Sequence, residues 1–279
     1  MISLIICSRK SDIPTELCQN ISETIGCEYE LVIIDNSDNR YSIFSAYNEG
    51  IRRSKGEILC FCHDDILFRS AHWGNAIAVL FEDDSIGLIG VGGSHFISTA
   101  PIYWSSLPFI SQFGITTDKG VVNRDDYRDY FHGHLADVVA VDGVCFFIPK
   151  SLFASIRFDD KTYNGFHAYD MDISMLVQST GKRVCVTDVL TVEHFWSEDS
   201  MKNPYYIEKL DTNMNLFCRK WKDKLPIVRG LDEPEIVIKR LNILCILAYD
   251  STKVRRSNAY RLGHILLKPF KLFKLLKIK

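Results

Sequence analysis

The chain has 279 residues, of which 47% are hydrophobic and 24% are charged, and its formal net charge is -2. This composition is typical of a globular protein and argues against a disordered chain. No run approaches the roughly 20 apolar residues of a membrane span, and residues 1–7 are too short and lack the basic start of a signal peptide.

The first half of the chain alternates apolar strands with helices. Strands are predicted over residues 2–7, 29–34, 57–62 and 86–91, and helices over residues 17–25, 43–54 and 71–81. Such a βαβαβαβ order predicts a parallel sheet with helices packed on its faces. The nine cysteines include no CxxC pair and lie mostly in apolar runs, which indicates reduced thiols and a cytoplasmic protein.

The second half is less regular. Strands are predicted over residues 138–141, 144–148, 183–187 and 190–193, and helices over residues 170–179, 204–221 and 236–249. Residues 94–137 are aromatic and polar with weak periodicity, and a long irregular segment in a compact domain is more often functional than idle. Its aromatic residues could form a sugar platform or part of the core, and its histidines could bind a metal or lie on the surface: Tyr103, Trp104, Tyr127, Tyr130, His132 and His134.

Polar residues follow three predicted strands at the point where each strand ends. They are Cys7, Ser8 and Arg9, then Asp35 and Asn36, then His63, Asp64 and Asp65. The carboxyl ends of parallel strands meet at one edge of a sheet, where such folds bind ligands. Adjacent carboxylates there predict a site for Mg²⁺ or Mn²⁺ and a substrate diphosphate. The alternative is a solvated Asp64-Asp65 turn that caps the helix predicted from residue 71.

Two common nucleotide motifs are missing. No GxGxxG follows the first strand and no GxxxxGK[ST] occurs in the chain, which argues against dinucleotide oxidoreductases and P-loop enzymes.

The order of these motifs resembles the inverting glycosyltransferases of family 2, which have the GT-A fold. The resemblance rests on Ser8, on Asp35-Asn36-Ser37, on Ala46-Tyr47-Asn48-Glu49-Gly50, and on Gly56-Glu57-Ile58 leading into His63-Asp64-Asp65. In that family a D-x-D motif ends the third strand. Here His63 replaces the first Asp, which usually contacts the ribose, and Asp65 aligns with the metal ligand.

The second half carries the same resemblance, which covers residues 2–221. Asp142-Gly143 matches the start of the acceptor-side strand, and the segment from Gly165 to Ile173 matches the one that bears the catalytic base. The resemblance implies that Asp170 is the base, that Asp172 is the second candidate, and that His194 is a metal ligand. An Asp before a helix could equally be an N-cap.

The resemblance implies a full set of properties. The fold is a GT-A type mixed, mainly parallel sheet flanked by helices, with a transferase domain over residues 1–222 (donor half 1–93, acceptor half 94–222) and a helical, basic extension over residues 223–279. The enzyme would be a metal-dependent inverting glycosyltransferase of polysaccharide biosynthesis, with Mn²⁺ or Mg²⁺ as cofactor. It would use a uridine, thymidine or guanosine diphosphate sugar and a glycan or lipid-linked acceptor.

The implied site residues form three groups. Donor-binding residues are Cys7, Ser8, Arg9, Asp35, Asn48, His63, Asp64 and Asp65; acceptor-side residues are Asp142, Gly143, His167, Tyr169 and Asp172; metal ligands are Asp65 and His194. Two other functions remain open: a non-catalytic binding or scaffold protein with the same fold, supported by the His63 substitution, and a sugar nucleotidyltransferase, whose Gly-rich first loop is missing here.

The C-terminal tail has a composition of its own. Residues 253–279 contain nine Lys or Arg and no Asp or Glu, and the last nine residues interleave Leu, Phe and Ile with lysine. This pattern is typical of an interfacial helix on an anionic membrane, here the inner face of the plasma membrane. The alternatives are a disordered end or a helix that packs on a partner. Nucleic acid is not expected as a ligand, because the rest of the chain is acidic.

Overall fold

The structure is a computed structural model, which describes residues 1–103, 109–111, 113–117, 120–123, 131–195, 204–230 and 242–251. The strands of these ranges, in chain order, are β1 (Ile2–Ser8), β2 (Tyr29–Asp35), β3 (Ile58–Cys62), β4 (Ile66–Phe68), β5 (Ile86–Gly90), β6 (Gly92–Ser94), β7 (Phe96–Ile97), β8 (Phe109–Ser111), β9 (Phe113–Thr117), β10 (Gly120–Asn123), β11 (Leu135–Asp137), β12 (Ala140–Val141), β13 (Cys145–Pro149), β14 (Arg183–Thr187), β15 (Val192–His194) and β16 (Ile227–Val228).

The helices flank these strands along the chain. They are α1 (Thr15–Thr24), α2 (Ile43–Arg53), α3 (Trp73–Leu80), α4 (Tyr169–Ser179), α5 (Pro204–Lys220) and α6 (residues 242–251), with a short 3-10 helix at Lys150–Ala154. None of the described helices is both long enough and apolar enough to cross a bilayer. All nine cysteines lie in described residues and are free thiols.

Seven strands form the central sheet in the order β11-β14-β5-β13-β3-β1-β2. The pairs β1–β2, β1–β3 and β14–β5 are parallel, whereas β13 runs antiparallel to β3 and β5, and β11 runs antiparallel to β14. Five strands therefore share one direction, which confirms the predicted mixed, mainly parallel sheet flanked by helices.

The apolar strands divide the core into two layers. Along β1, Leu4 and Ile6 pack into the layer that includes Trp73, while Ile5 packs into the layer that includes Phe44. This follows from the two-residue period of a strand, which turns successive side chains to opposite faces. A strand buried on both faces is mostly apolar, and that explains the run of residues 2–7 that predicted β1. Its one internal polar residue, Ser3, is buried and donates a hydrogen bond to Glu30 Oε1 at 2.6 Å.

Helix α2 is placed by a cap and a close contact. The Ser42 Oγ accepts a hydrogen bond of 3.2 Å from the Ser45 backbone N–H, as an N-cap residue does. A Cβ on Gly50 would lie 2.3 Å from the Ile5 Cγ2. Glycine at this position therefore lets α2 pack directly onto β1.

The segment predicted to be irregular contains short strands that pair with distant parts of the chain. β9 pairs with β10 and β15, β6 pairs with β8 and β12, and β7 pairs with β16. Short strands of this kind have too few residues for a periodic signal, so the sequence did not show them. β4, which follows the Asp64-Asp65 pair directly, was missed for the same reason.

Candidate metal centre and active site

The ends of β1, β2 and β3 meet at one edge of the central sheet. Ser8 and Asp35 are partners in the β1–β2 register, and Ile6 is the partner of Cys62 in the β1–β3 register. The Ser8 Oγ donates a hydrogen bond of 2.5 Å to Asp64 Oδ2. The structure therefore brings the predicted donor-side residues of three strands into one polar edge.

Three possible metal ligands lie beside this edge. His194 is the partner of Ile66 in the antiparallel β4–β15 pair, which places it next to Asp65. The His194 Nε2 lies 3.3 Å from Asp65 Oδ1 and 3.4 Å from His63 Nδ1, and the last two atoms are 3.8 Å apart. Within the described residues, this is the group of His, Cys, Asp and Glu side chains close enough to hold a metal ion.

These distances fit a divalent ion better than a hydrogen-bonded triad. All three exceed the usual 2.7–3.2 Å of a hydrogen bond to nitrogen. In the plane of the three atoms, the point equidistant from them lies about 2 Å from each. This is an ordinary distance between a metal ion and its nitrogen or oxygen ligands. One carboxylate and two imidazoles are also a common donor set for divalent metals.

The alternative explanation of Asp64-Asp65 as a helix cap is wrong. β4 follows the pair directly, and α3 begins only at Trp73, with His72 as its N-cap residue. The pair therefore stands between two strands, at the edge where β3 ends.

A tyrosine connects His63 to the acceptor side. The Tyr169 hydroxyl lies 2.9 Å from His63 Nε2 and donates a hydrogen bond of 3.0 Å to the Gly143 carbonyl. A Cβ on Gly143 would lie 2.1 Å from the Tyr169 hydroxyl oxygen, so only glycine allows this approach. The contact brings the first turn of α4 to the cluster of His63, Asp65 and His194.

The surroundings favour neutral imidazole and ionised carboxylate in this cluster. Burial and the neighbouring His194 lower the pKa of His63 to about 4, against the opposing effect of Asp65. Burial alone would raise the pKa of Asp65, but its interactions with His194 and His63 outweigh burial and lower the pKa. Both shifts favour the forms that bind metals.

Asp170 lies in the first turn of α4 and is almost fully buried, at 1% exposure. Its Oδ2 accepts a hydrogen bond of 2.7 Å from the Tyr103 hydroxyl, and its Oδ1 accepts one of 2.9 Å from the Met171 N–H. The N-cap residue is Ala168, with a positive φ of 70°, so the explanation of Asp170 as the cap is wrong. A buried carboxylate beside a site edge is typical of a catalytic group.

Asp172, the second candidate base, lies among structural partners. Its Oδ1 accepts hydrogen bonds from the Tyr163 hydroxyl at 3.0 Å and from Trp221 Nε1 at 2.8 Å, and its Oδ2 pairs with Lys220 at 2.9 Å. Burial raises the pKa of Asp172 in spite of these partners. Both oxygens therefore serve to join α4 to α5.

The other predicted donor-side residues differ in their surroundings. Asp35 accepts a hydrogen bond of 2.9 Å from the Ser37 N–H, Arg9 is exposed after β1, and burial raises the pKa of Cys7 to about 11. The Asn48 amide donates to the Phe158 carbonyl at 2.9 Å and accepts from the Phe158 N–H at 3.2 Å. Asn48 therefore holds the loop that leads towards α4.

The remaining acceptor-side residues support the same loop and turn. Asp142 Oδ1 accepts a hydrogen bond of 2.9 Å from the Val144 N–H, and the carbonyl of buried His167 accepts one of 2.9 Å from Asn213. Of the two histidines in the segment after β10, His132 and His134, the second pairs with Asp188 at 2.8 Å. Neither histidine belongs to the cluster of His63, Asp65 and His194. Trp104, Tyr127 and Tyr130 lie outside the described residues, whereas Tyr103 contacts Asp170.

The sequence did not reveal two contacts of this site. Tyr103 lies 67 residues before Asp170, and His63 lies 106 residues before Tyr169. No local pattern marks such pairs, because each partner alone resembles an ordinary aromatic or polar residue of a strand end or loop.

Comparison with known proteins places this geometry in context. The model of a family described as glycosyltransferase-like matches residues 3–221. Among solved structures, GalNAc-T7 with UDP, GalNAc and Mn²⁺ is 11% identical with a TM-score of 0.51, and the match covers 94% of this chain and 57% of that chain. No curated protein sequence matches the chain.

Two further solved structures are similar at a lower level. TarS 1–349 from S. aureus in complex with UDP is 13% identical with a TM-score of 0.46, covering 75% of this chain and 64% of that chain. A197 from STIV is 13% identical with a TM-score of 0.42, covering 70% and 85%. This chain therefore spans less than two thirds of GalNAc-T7 and of TarS, and the likeness to GalNAc-T7 shows a shared GT-A fold.

Proposed function

We propose that this chain transfers a sugar from a nucleoside-diphosphate sugar to a hydroxyl of a glycan or lipid-linked acceptor. The chain belongs to the glycosyltransferase-like family, and this membership makes it a glycosyltransferase. The observation that carries the proposal is the contact between His63 and Tyr169. It joins the polar edge where β3 ends to the turn that bears Asp170. The presence of UDP, GalNAc and Mn²⁺ in the structure of GalNAc-T7 supports the donor class.

The proposed donor half, residues 1–93, binds the nucleotide and its diphosphate. Ser8, Asp35 and Asp64 offer hydroxyl and carboxylate groups to the nucleoside, and Arg9 offers a cation to the phosphates. Asp65 and His194 would hold Mn²⁺ or Mg²⁺. A bound divalent ion would offset the negative charge that develops on the leaving diphosphate.

Asp170 is the proposed general base. The acceptor hydroxyl gives its proton to the Asp170 carboxylate as its oxygen attacks the anomeric carbon of the donor sugar. The bond from that carbon to the diphosphate oxygen breaks on the opposite face, and the bonding electrons leave with the diphosphate. The configuration of the anomeric carbon is therefore inverted.

The proposed acceptor half, residues 94–222, contains Asp142, Gly143, His167 and Tyr169 around this base. Residues 223–279 are proposed to form an extension that holds the enzyme on the inner, anionic face of the plasma membrane, where a lipid-linked acceptor in polysaccharide biosynthesis would be found. Family membership does not favour the scaffold or nucleotidyltransferase alternatives.

The first test is donor binding. UDP, dTDP and GDP are added to the full chain with Mn²⁺ or with EDTA, and the midpoint of thermal unfolding is measured. A ligand at 100 times its Kd stabilises the native state by about 2.7 kcal/mol, so one nucleotide should raise the midpoint when Mn²⁺ is present. Equal shifts with EDTA would contradict the metal dependence, and no shift with any nucleotide would contradict the donor site.

The second test is the stereochemistry of the product. Incubation with the matching nucleotide sugar and a hydroxyl acceptor should give a product whose anomeric proton coupling, measured by NMR, shows inversion relative to the donor. Retention of configuration would contradict the assigned mechanism while leaving the enzyme class intact.

A further inference from the structure

The contacts of His63 and Tyr169 allow us to assign which ring nitrogen of His63 carries its proton. The Tyr169 hydroxyl has a single hydrogen, which it donates to the Gly143 carbonyl at 3.0 Å. Its oxygen is then an acceptor towards His63 Nε2, 2.9 Å away, so Nε2 carries the hydrogen. The lone pair of a neutral His63 imidazole is therefore on Nδ1.

His63 Nδ1 faces the other two donor atoms of the cluster, 3.4 Å from His194 Nε2 and 3.8 Å from Asp65 Oδ1. The His63 side chain is 18% exposed and that of His194 is 12% exposed, so two imidazoles meet in a largely buried position. A histidine whose distal N–H is held by an oxygen acceptor, with its other nitrogen aimed at a cluster of ligands, is the usual arrangement of a metal-binding histidine.

From this geometry we infer that His63 is a third protein ligand of the metal, through Nδ1, and that Tyr169 is the residue that positions it. The inference rests on the proposed function and deepens it, since it states which metals the site accepts. Two imidazole nitrogens and one carboxylate favour first-row transition ions, with Co²⁺ and Zn²⁺ bound more tightly than Mn²⁺. Mg²⁺ prefers oxygen ligands and keeps its water, so the site discriminates against it.

The replacement of an aspartate by His63 in the D-x-D position is thus a change of metal preference rather than a loss of the site. Three protein ligands also leave coordination positions open for substrate oxygens, as catalytic metal sites require. Tyr169 packs tightly on Gly143, where only glycine leaves room for the Tyr169 hydroxyl. This packing holds the His63 imidazole in place.

The test counts nitrogen ligands directly. Pulsed electron paramagnetic resonance of Mn²⁺ bound to the full chain, with and without UDP, should show hyperfine couplings from two imidazole nitrogens. His63→Ala should leave one coupled nitrogen, and His132→Ala, a change at an exposed histidine outside the cluster, should leave both. One coupled nitrogen in the unaltered chain, or no binding of Mn²⁺, overturns the assignment.

Affinity gives a second, independent measurement. Calorimetric titration with Mn²⁺ and with Mg²⁺ should show that Tyr169→Phe weakens Mn²⁺ binding by about 10- to 100-fold. His63→Asp restores an oxygen ligand and should shift the ratio of Mn²⁺ to Mg²⁺ affinity towards Mg²⁺ by about tenfold or more. An unchanged ratio contradicts the metal preference, and unchanged affinity in Tyr169→Phe contradicts the positioning role.

The two proposals fail in different ways. Coupling of Mn²⁺ to two nitrogens in a chain that binds no nucleotide would support the metal site and contradict the proposed donor site. Mn²⁺-dependent sugar transfer by a chain with a single coupled nitrogen would support the proposed transferase and contradict the assignment of His63 as a ligand.

Discussion

The Tyr103 hydroxyl donates a 2.7 Å hydrogen bond to Asp170 Oδ2, and this contact links the proposed base to the segment that holds α6. Asn242, the first described residue of α6, accepts hydrogen bonds through its Oδ1 from the Ser98 hydroxyl at 2.9 Å and the Thr99 N–H at 2.8 Å. Ser98, which anchors α6, therefore lies only five positions before Tyr103, the residue in contact with the proposed base.

Asp170→Asn tests the assignment of the base. An amide cannot accept the acceptor proton, so the rate of sugar transfer should fall by about 10²- to 10⁴-fold, the usual contribution of a general base. Nucleotide binding, measured by calorimetry with Mn²⁺, should stay within about twofold, because the change adds no bulk and none of the proposed donor-side residues lies on α4.

Asp172→Asn is the matched control two residues away. It weakens an ion pair with Lys220 and should lower the free energy of unfolding, measured in urea, while transfer by the folded fraction persists. If Asp172→Asn abolishes transfer by folded protein and Asp170→Asn does not, the two roles are reversed.

Tyr103→Phe tests the hydrogen bond that orients Asp170. A hydrogen bond to a charged group contributes about 1.5–3 kcal/mol, and its loss frees the carboxylate to rotate. The turnover rate, measured in steady-state kinetics with saturating donor, should fall about tenfold or more. The affinity for Mn²⁺ should not change. A lower unfolding midpoint with an unchanged rate would assign Tyr103 to packing alone.

The parts of the fold that the sequence predicted well are those with a strong local signal. β1, apart from Ser3, and β3 are apolar because both of their faces are buried, and each is followed by polar residues. His63 and Asp65 were therefore recognisable from their position directly after β3. His194 was recognisable only through the family resemblance, since its neighbour Asp65 is far away in sequence.

The parts that could not be predicted depend on long-range partners. β13 is an apolar strand like its neighbours, and nothing in its residues shows that it inserts antiparallel between β3 and β5. An Asp in the first turn of a helix, such as Asp172, is typical of an exposed position. Its burial depends on distant partners: Lys220, 48 residues later, supplies the opposite charge, and Tyr163 and Trp221 donate hydrogen bonds.

The ion pair between Lys220 and Asp159 predicts a pH dependence of stability. Burial opposes ionisation, but hydrogen bonds from Lys220 and Thr162, with the charge of Lys220, outweigh it and lower the pKa of Asp159 to about 2. A carboxyl whose pKa is depressed on folding stabilises the protein above its ordinary pKa of about 4, and this contribution is lost as the pH falls towards 2. The stability difference between the unaltered chain and Asp159→Asn should therefore be constant above pH 5 and shrink below pH 4 in urea titrations. A difference that does not change with pH would contradict the role of the charge.

Gly143→Ala tests whether the packing of Tyr169 on Gly143 positions His63. The new methyl group would lie 2.1 Å from the Tyr169 hydroxyl oxygen and must displace it, which breaks the hydrogen bond to His63. Mn²⁺ affinity should fall at least as far as in Tyr169→Phe, with a lower unfolding midpoint because a packed core must shift. Retention of full Mn²⁺ affinity in a folded Gly143→Ala protein would show that the site does not need Tyr169.

The surface of α6 predicts where the chain meets a membrane. Cys245 is buried against Phe96 and Val228, whereas Ile243, Leu244 and Leu247 are exposed by 57%, 56% and 60%. The chain after this helix contains nine Lys or Arg and no acidic residue over residues 253–279. An exposed apolar face next to a basic segment is the combination that binds an anionic bilayer.

Vesicle sedimentation of the full chain measures this binding. Binding should be stronger to vesicles with anionic phospholipid than to neutral ones and should weaken as salt rises, since the ionic attraction is screened. Leu244→Ser with Leu247→Ser should reduce binding about tenfold or more, because apolar area leaves the bilayer. Val79→Ser is the control, because Val79 is equally exposed at 60% but lies on α3. Equal binding by both variants, or equal binding to neutral and anionic vesicles, would contradict the membrane role of α6 and the tail while leaving sugar transfer untouched.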